Sequence, residues 1–157
     1  MSTADDISVA SKVAVLVLED HPELRHTMCL ALEMRGYRAA PASRASRAFD
    51  LIERCKGAID LMITDMMLPG ISGLDVAALL ERGHPNLPIL YISGHSESLA
   101  MQSISHQSPQ NVLFKPFTMG EMLRRVELLL GAVDKKAPGR SCLPGRRLPD
   151  GGCATGD

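Results

Sequence analysis

Glu19, Asp20, Asp65, Ser93 and Lys115 each close a short, mostly apolar run of this sequence. Asp65 is the clearest case. Leu61-Met62-Ile63-Thr64 ends in its carboxylate, and Pro69-Gly70 breaks the backbone soon after. If these runs are neighbouring strands, three carboxylates, a hydroxyl and an ammonium share one edge. Crowded carboxylates repel, and more strongly in a partly dry cleft. Such a cluster can hold a hard divalent cation, and Mg²⁺ needs few protein carboxylates because it keeps several waters. With Lys115 opposite, the set suits a phosphoryl group. The cation neutralises charge, the ammonium pairs with phosphoryl oxygens, and Asp65 attacks phosphorus to form an aspartyl phosphate.

The elements that must position these groups follow from periodicity. Residues 12–18 are nearly all apolar and β-branched, which suits a strand buried on both faces. Pro22 then fits the first turn of a helix. Leu24, Met28, Ala31, Leu32 and Met34 carry its spacing as far as Gly36. Residues 37–42 read as a second, weaker strand, and Ser43 as the cap of a helix reaching about Lys56 and ended by Gly57. Residues 59–64 form the third strand, with Asp65 at its end. Ser72 and Gly73 begin a helix that Gly83-His84-Pro85 stops. Residues 87–92 and 111–114 read as the fourth and fifth strands, with a polar helix over 96–107 between them. Thr118 caps a last helix, expected to stop at Gly131.

Five strand–helix repeats predict an α/β fold, a flavodoxin-like doubly wound parallel sheet of order 2-1-3-4-5 with helices on both faces. Right-handed crossovers place every strand's carboxyl end on one edge, where such sheets bind ligands. Residues 1–11 read as a flexible arm and 12–132 as the domain. Residues 133–157, rich in Pro, Gly and Arg, read as a disordered tail.

Composition narrows the function further. The 157 residues carry a formal charge of −1, so no global basic footprint for nucleic acid is present. The tail holds five Lys/Arg against three Asp, and residues 1–132 twelve against fifteen Asp/Glu. No apolar run reaches the roughly 20 residues of a membrane span. The polar start has no signal-peptide core, so a cytoplasmic protein is expected. Cys29, Cys55, Cys142 and Cys153 show no metal or redox spacing. Cys29 and Cys55 fall in helical patterns as reduced packing residues.

Four pieces carry a family resemblance. They are Val15-Leu16-Val17-Leu18-Glu19-Asp20, Ile63-Thr64-Asp65-Met66-Met67-Leu68-Pro69-Gly70-Ile71-Ser72-Gly73, Tyr91-Ile92-Ser93-Gly94 and Phe114-Lys115-Pro116-Phe117. In this order, each at a strand end, they resemble the receiver domain of bacterial two-component response regulators, of the chemotaxis-regulator kind. The resemblance spans about residues 12–132. It implies that Asp65 is the phosphoacceptor. It implies further that Glu19, Asp20, Asp65 and the Met67 carbonyl hold Mg²⁺, that Ser93 is the switch hydroxyl, and that Lys115 pairs with the phosphate. Lys115-Pro116 is then expected to be cis. Val112 stands where the family often carries a Tyr or Phe switch ring, a departure that bears on output coupling and not on phosphorylation.

The implied function is phosphorelay signalling. A sensor histidine kinase or histidine phosphotransfer protein supplies the phosphoryl group, and the 93–107 segment shifts to address a downstream output protein. The tail is too short and polar for a helix-turn-helix module, so no nucleic-acid partner is expected, and without a spanning apolar run no membrane partner is expected either. No enzyme turnover is expected beyond self-catalysed phosphotransfer and slow autodephosphorylation. A detached receiver of a hybrid kinase, or a phosphate sink, fits equally. A haloacid-dehalogenase-like phosphatase would need a second acid where Met67 stands. A flavodoxin proper would need hydroxyls where Glu19-Asp20 stand.

Plainer readings compete at single positions. An acid after a strand often only caps a turn or helix. His21 reads as a helix-start residue, and His26, His84, His95 and His106 as surface or loop residues. Met62, Met66 and Met67 read as packing, and Arg146-Arg147 as a solvated pair.

Overall fold

The structure, a computed structural model, describes residues 13–55, 58–94 and 111–136, with backbone alone for 132–136. The expected 96–107 helix, the arm, most of the tail, His95, His106, Cys142, Cys153 and Arg146-Arg147 lie outside the described residues.

Strand β1 (Ala14–Leu18) is buried at every position, as its unbroken apolar run requires. Helix α1 (Pro22–Met34) follows, with Pro22 in its first turn and His21 at the cap position. Then come β2 (Arg38–Ala42), α2 (Ala45–Cys55) and β3 (Leu61–Asp65). The short strands β4 (Met67–Leu68) and β5 (Ile71–Ser72) lead into α3 (Gly73–Gly83). Strands β6 (Ile89–Ser93) and β7 (Val112–Phe114) precede α4 (Met119–Lys136). The five long strands form one sheet in the order β2-β1-β3-β6-β7, with every pairing parallel. Counted over those strands alone, this is the expected 2-1-3-4-5 order.

Two apolar layers cover the sheet. On one face Val15, Val17, Ile63 and Ile92 pack with Met28, Cys29 and Leu32 of α1 and Met122, Val126 and Leu129 of α4. On the other, Leu16, Leu18 and Met62 pack with Leu51 and Ile52 of α2 and Val76 and Leu80 of α3. Truncating one of these fully buried leucines to alanine would cost about 2–5 kcal/mol. Cys29 and Cys55 are buried free thiols, as expected of packing residues.

β2 is built from Arg-Ala-Ala-Pro-Ala and has little strand propensity of its own. It forms because β1 supplies the ladder and its alanines fit beneath helices on both faces. Pro41 is tolerated because β2 lies at the sheet edge.

The structure corrects several local expectations. The first i→i−4 bond of α2 runs from Ala48 N–H to Arg44 C=O, so the cap position is Arg44 and not Ser43. Met34 does not pack but stands 86% exposed. The buried stripe of α1 is Arg25, Met28, Cys29 and Leu32. α4 does not stop at Gly131 but runs to Lys136. A helix-interior glycine costs only about 1 kcal/mol. The start of α4 is strong, because Thr118 Oγ1 accepts from Glu121 N–H (3.1 Å) and Glu121 Oε2 accepts from Thr118 N–H (3.1 Å). This reciprocal capping box was legible in the Thr-x-x-Glu spacing.

Between β3 and α3 the chain makes the tight hairpin of β4 and β5. Pro69 and Gly70, at φ +81°, occupy the turn places that favour proline and demand a positive φ. Ser72 caps α3 by accepting from Asp75 N–H (3.1 Å). The hairpin brings Gly73 against the end of β3, where its N–H donates to Met66 C=O (3.0 Å). A Cβ on Gly73 would overlap the main-chain carbonyl oxygen of Asp65. Gly73→Ala is therefore expected to destabilise the protein by about 1–3 kcal/mol in urea unfolding, the cost of forced overpacking. Gly83→Ala, whose added methyl meets nothing within 4 Å, is expected to be neutral or slightly stabilising.

Candidate functional site

Asp65 is the last residue of β3, where the ladder to β6 runs out. Its partner there is Ile92, and Met66 N–H donates to the Ile92 carbonyl (2.9 Å). The residue is 3% exposed, so its carboxyl needs partners inside the protein. Met67 N–H donates to Oδ1 (2.8 Å), and Lys115 Nζ donates to Oδ2 (2.8 Å). One oxygen is thus held by the backbone of its own hairpin and the other by an ammonium 50 residues away.

Lys115 follows β7. Its N–H donates to the Ser93 carbonyl (2.8 Å), and the peptide to Pro116 is cis. Burial alone would push the Lys115 ammonium down. Its hydrogen bond to Asp65 and the charges of Asp65, Glu19 and Asp20 outweigh that and leave it raised. Lys115 therefore stays charged at neutral pH.

Glu19 follows β1 and is buried. Its Oε1 accepts from His21 N–H (3.2 Å), while Oε2 is buried with no hydrogen-bond partner among the described residues. Burial, and then the neighbouring Asp65 carboxyl, push Glu19 up to about 8 from 4.5. Protonated, Glu19 can donate to Asp65; ionised, it leaves an orphaned oxygen facing a like charge. Oxygens of Glu19, Asp20 and Asp65 lie within 4.8 Å of one another. At an effective dielectric of about 20, two charges at that distance repel by roughly 3 kcal/mol. A divalent cation would remove the repulsion and occupy the orphaned Oε2. The donor set, all hard oxygen, fits Mg²⁺.

Glu19, Asp20, Asp65 and Lys115 share one cluster, and the Met67 group bonded to the Asp65 carboxylate is its N–H, not the carbonyl that the resemblance implies as a ligand. Met62 and Met66 are buried packing residues, but the Met67 side chain is 79% exposed. Ser93 is buried at the end of β6, one residue past the partner of Asp65 and tied through its carbonyl to Lys115. His21 makes no side-chain cap bond and serves as the helix-start residue anticipated. Val112 is buried beside Met66, Leu74 and Tyr91. Two residues escaped the sequence reading. Gly73, taken only as a helix start, packs on the Asp65 carbonyl. Arg25, a charged residue on the apolar stripe of α1, points to the main chain of Glu19. Its i, i+3, i+4, i+7 spacing with Met28, Cys29 and Leu32 was the signal that could have found it.

A family model described as response regulator receiver domain matches residues 15–127. The phosphate regulon transcriptional regulatory protein PhoB of Pseudomonas aeruginosa is 30% identical over 129 residues, covering 79% of this chain and 56% of that protein. The sensor kinase CckA of Brucella abortus is 26% identical over 144 residues, covering 83% of this chain and 15% of that protein. The chain thus spans about half or less of these two relatives. Among solved structures, a response regulator receiver protein from Sinorhizobium medicae is 30% identical with a TM-score of 0.66, covering 78% of this chain and 97% of that one. The matched span begins in β1 and ends in α4, enclosing each strand end described above, and the chain belongs to the response regulator receiver domain family.

Proposed function

We propose that this receiver domain of two-component signalling takes a phosphoryl group from a phosphohistidine onto Asp65 and presents the result to an output protein. The observation that carries the reading is the Asp65 carboxylate, held at both oxygens beside the orphaned Glu19 Oε2. The phosphohistidine comes from a sensor kinase or a histidine phosphotransfer protein. An Asp65 oxygen forms the new bond to phosphorus as the phosphorus–nitrogen bond of the donor breaks. Lys115 then pairs with phosphoryl oxygens, and the Met67 N–H orients the carboxylate. Ser93, buried on the same edge, supplies a hydroxyl that senses the added group. Glu19, Asp20, Asp65 and the Met67 carbonyl would hold Mg²⁺. When bound, that ion neutralises charge on the acceptor and on the transferring group.

On this reading the chain is not a turnover enzyme, and its changes of state are phosphotransfer and slow hydrolysis of its own aspartyl phosphate. It works in the cytoplasm, where kinases of this kind present their phosphohistidine. The likeness to a sensor kinase favours a second reading, a receiver that passes the phosphoryl group onward in a relay. Return of label from phosphorylated protein to a histidine phosphotransfer protein separates the two.

Intact mass after acetyl phosphate with Mg²⁺ should show one added phosphoryl on the wild type and none on Asp65→Asn. Steady phosphate release from a small phosphoester, lost in Asp65→Asn, would instead indicate a phosphatase. A second expectation concerns Glu19. Because its folded pKa lies near 8, above the ordinary 4.5, the metal-free fold loses stability as pH rises between those values. Glu19→Gln should therefore raise the metal-free Tm by a few degrees at about pH 8 and much less near pH 5, as an orphaned buried polar atom costs about 1–3 kcal/mol. The same variant should lose most of the Tm increment that Mg²⁺ gives the wild type, since the ion binds only one of the two folding states.

A further inference from the structure

Arg25 is the one buried arginine among the described residues, at 8% exposure. Its Nη1 donates to the main-chain carbonyl of Glu19 (2.9 Å) and, more weakly, to that of Asp20 (3.5 Å). No carboxylate pairs with it among the described residues. A guanidinium satisfied only by peptide oxygens is an expensive way to fill a helix face, since a buried charge without an ionic partner pays heavily in lost hydration.

The loop it grips has little else to hold it. His21, at the cap position of α1, makes no side-chain cap bond. The Glu19 carboxyl itself accepts from His21 N–H, and Arg25 N–H closes the first helical bond to His21 C=O (3.0 Å). Glu19 N–H is tied to Ala42 C=O (3.0 Å) across the sheet. The Arg25 side chain therefore fixes the only peptide carbonyls between the end of β1 and the cap of α1, and these belong to the two acids of the cluster. We infer that Arg25 is a positioning residue for cation binding: by clamping the Glu19 and Asp20 carbonyls it aims their carboxylates at a divalent ion.

The inference rests on the proposed Mg²⁺ site, and its sign is unusual. Acting through charge alone, Arg25 would oppose a nearby cation, so its removal would tighten Mg²⁺ binding. Acting through geometry, its removal weakens binding. A residue that merely stabilised the fold would lower the metal-free Tm and leave the affinity unchanged.

The test is calorimetric titration of Mg²⁺ into wild type, Arg25→Met and Arg25→Lys, with circular dichroism to confirm folding. Arg25→Met keeps the apolar stem and removes the donors. It is expected to bind Mg²⁺ about tenfold more weakly, within the range for loss of an outer partner of a metal ligand. Arg25→Lys keeps the charge and one donor group, and is expected to fall between the two; if Arg25→Met does not fold, this variant decides. Affinity equal to or tighter than wild type in a folded variant overturns the inference while leaving the metal site standing. A wild type that binds no Mg²⁺ removes the site, and the inference with it.

Discussion

A carboxylate buried at the end of a strand needs something in the protein to replace the water it has lost. For Asp65 the replacement is the Lys115 ammonium on one oxygen and the Met67 N–H on the other. The ammonium lies on the loop after β7, two strands away in the sheet order, so the pair forms only when the sheet is complete. The bond from Lys115 N–H to Ser93 C=O ties its backbone to the end of β6. The same ammonium offsets part of the repulsion among the three clustered acids, and a raised Glu19 pKa relieves the rest.

Parallel topology does the gathering. Each long strand ends on the same rim, and the β3–β6 register sets Asp65 one residue short of Ser93. The rest of the chain answers a narrower question, how to deliver these ends without moving them. β1 and β3 are buried throughout and cannot slide without exposing a leucine or an isoleucine. The hairpin of β4 and β5 lets α3 begin against the backbone of Asp65, and a bare glycine at 73 makes room for it.

Much of this was legible before any coordinates. β1 and β3 announce themselves as unbroken apolar runs, and the acids that end them are the cluster. Ser72, Thr118 and Pro22 mark helix starts by simple backbone chemistry, so those starts were readable. What escaped depends on partners distant in sequence. Met34 is apolar but, at 3.6 residues per turn, falls on the face of α1 opposite Arg25, Met28, Cys29 and Leu32, so it stays in solvent. Gly131 looks like a stop, yet the backbone continues through it because glycine only weakens a helix. Arg25 looks like a surface cation until the carbonyls it reaches are known. The closeness of Gly73 to Asp65 is set by a two-residue hairpin that leaves almost no periodic signal.

The composition of β2 has a consequence beyond its own stability. In a parallel strand, alternate residues turn both backbone groups to the same side. Arg38 and Ala42 bond toward β1, so Ala39 and Pro41 face outward. Of the two outward positions, only Ala39 carries an N–H. An incoming chain would find half the donors needed to extend the ladder there. This flank is therefore guarded against strand addition and fibrous stacking by a single imino acid.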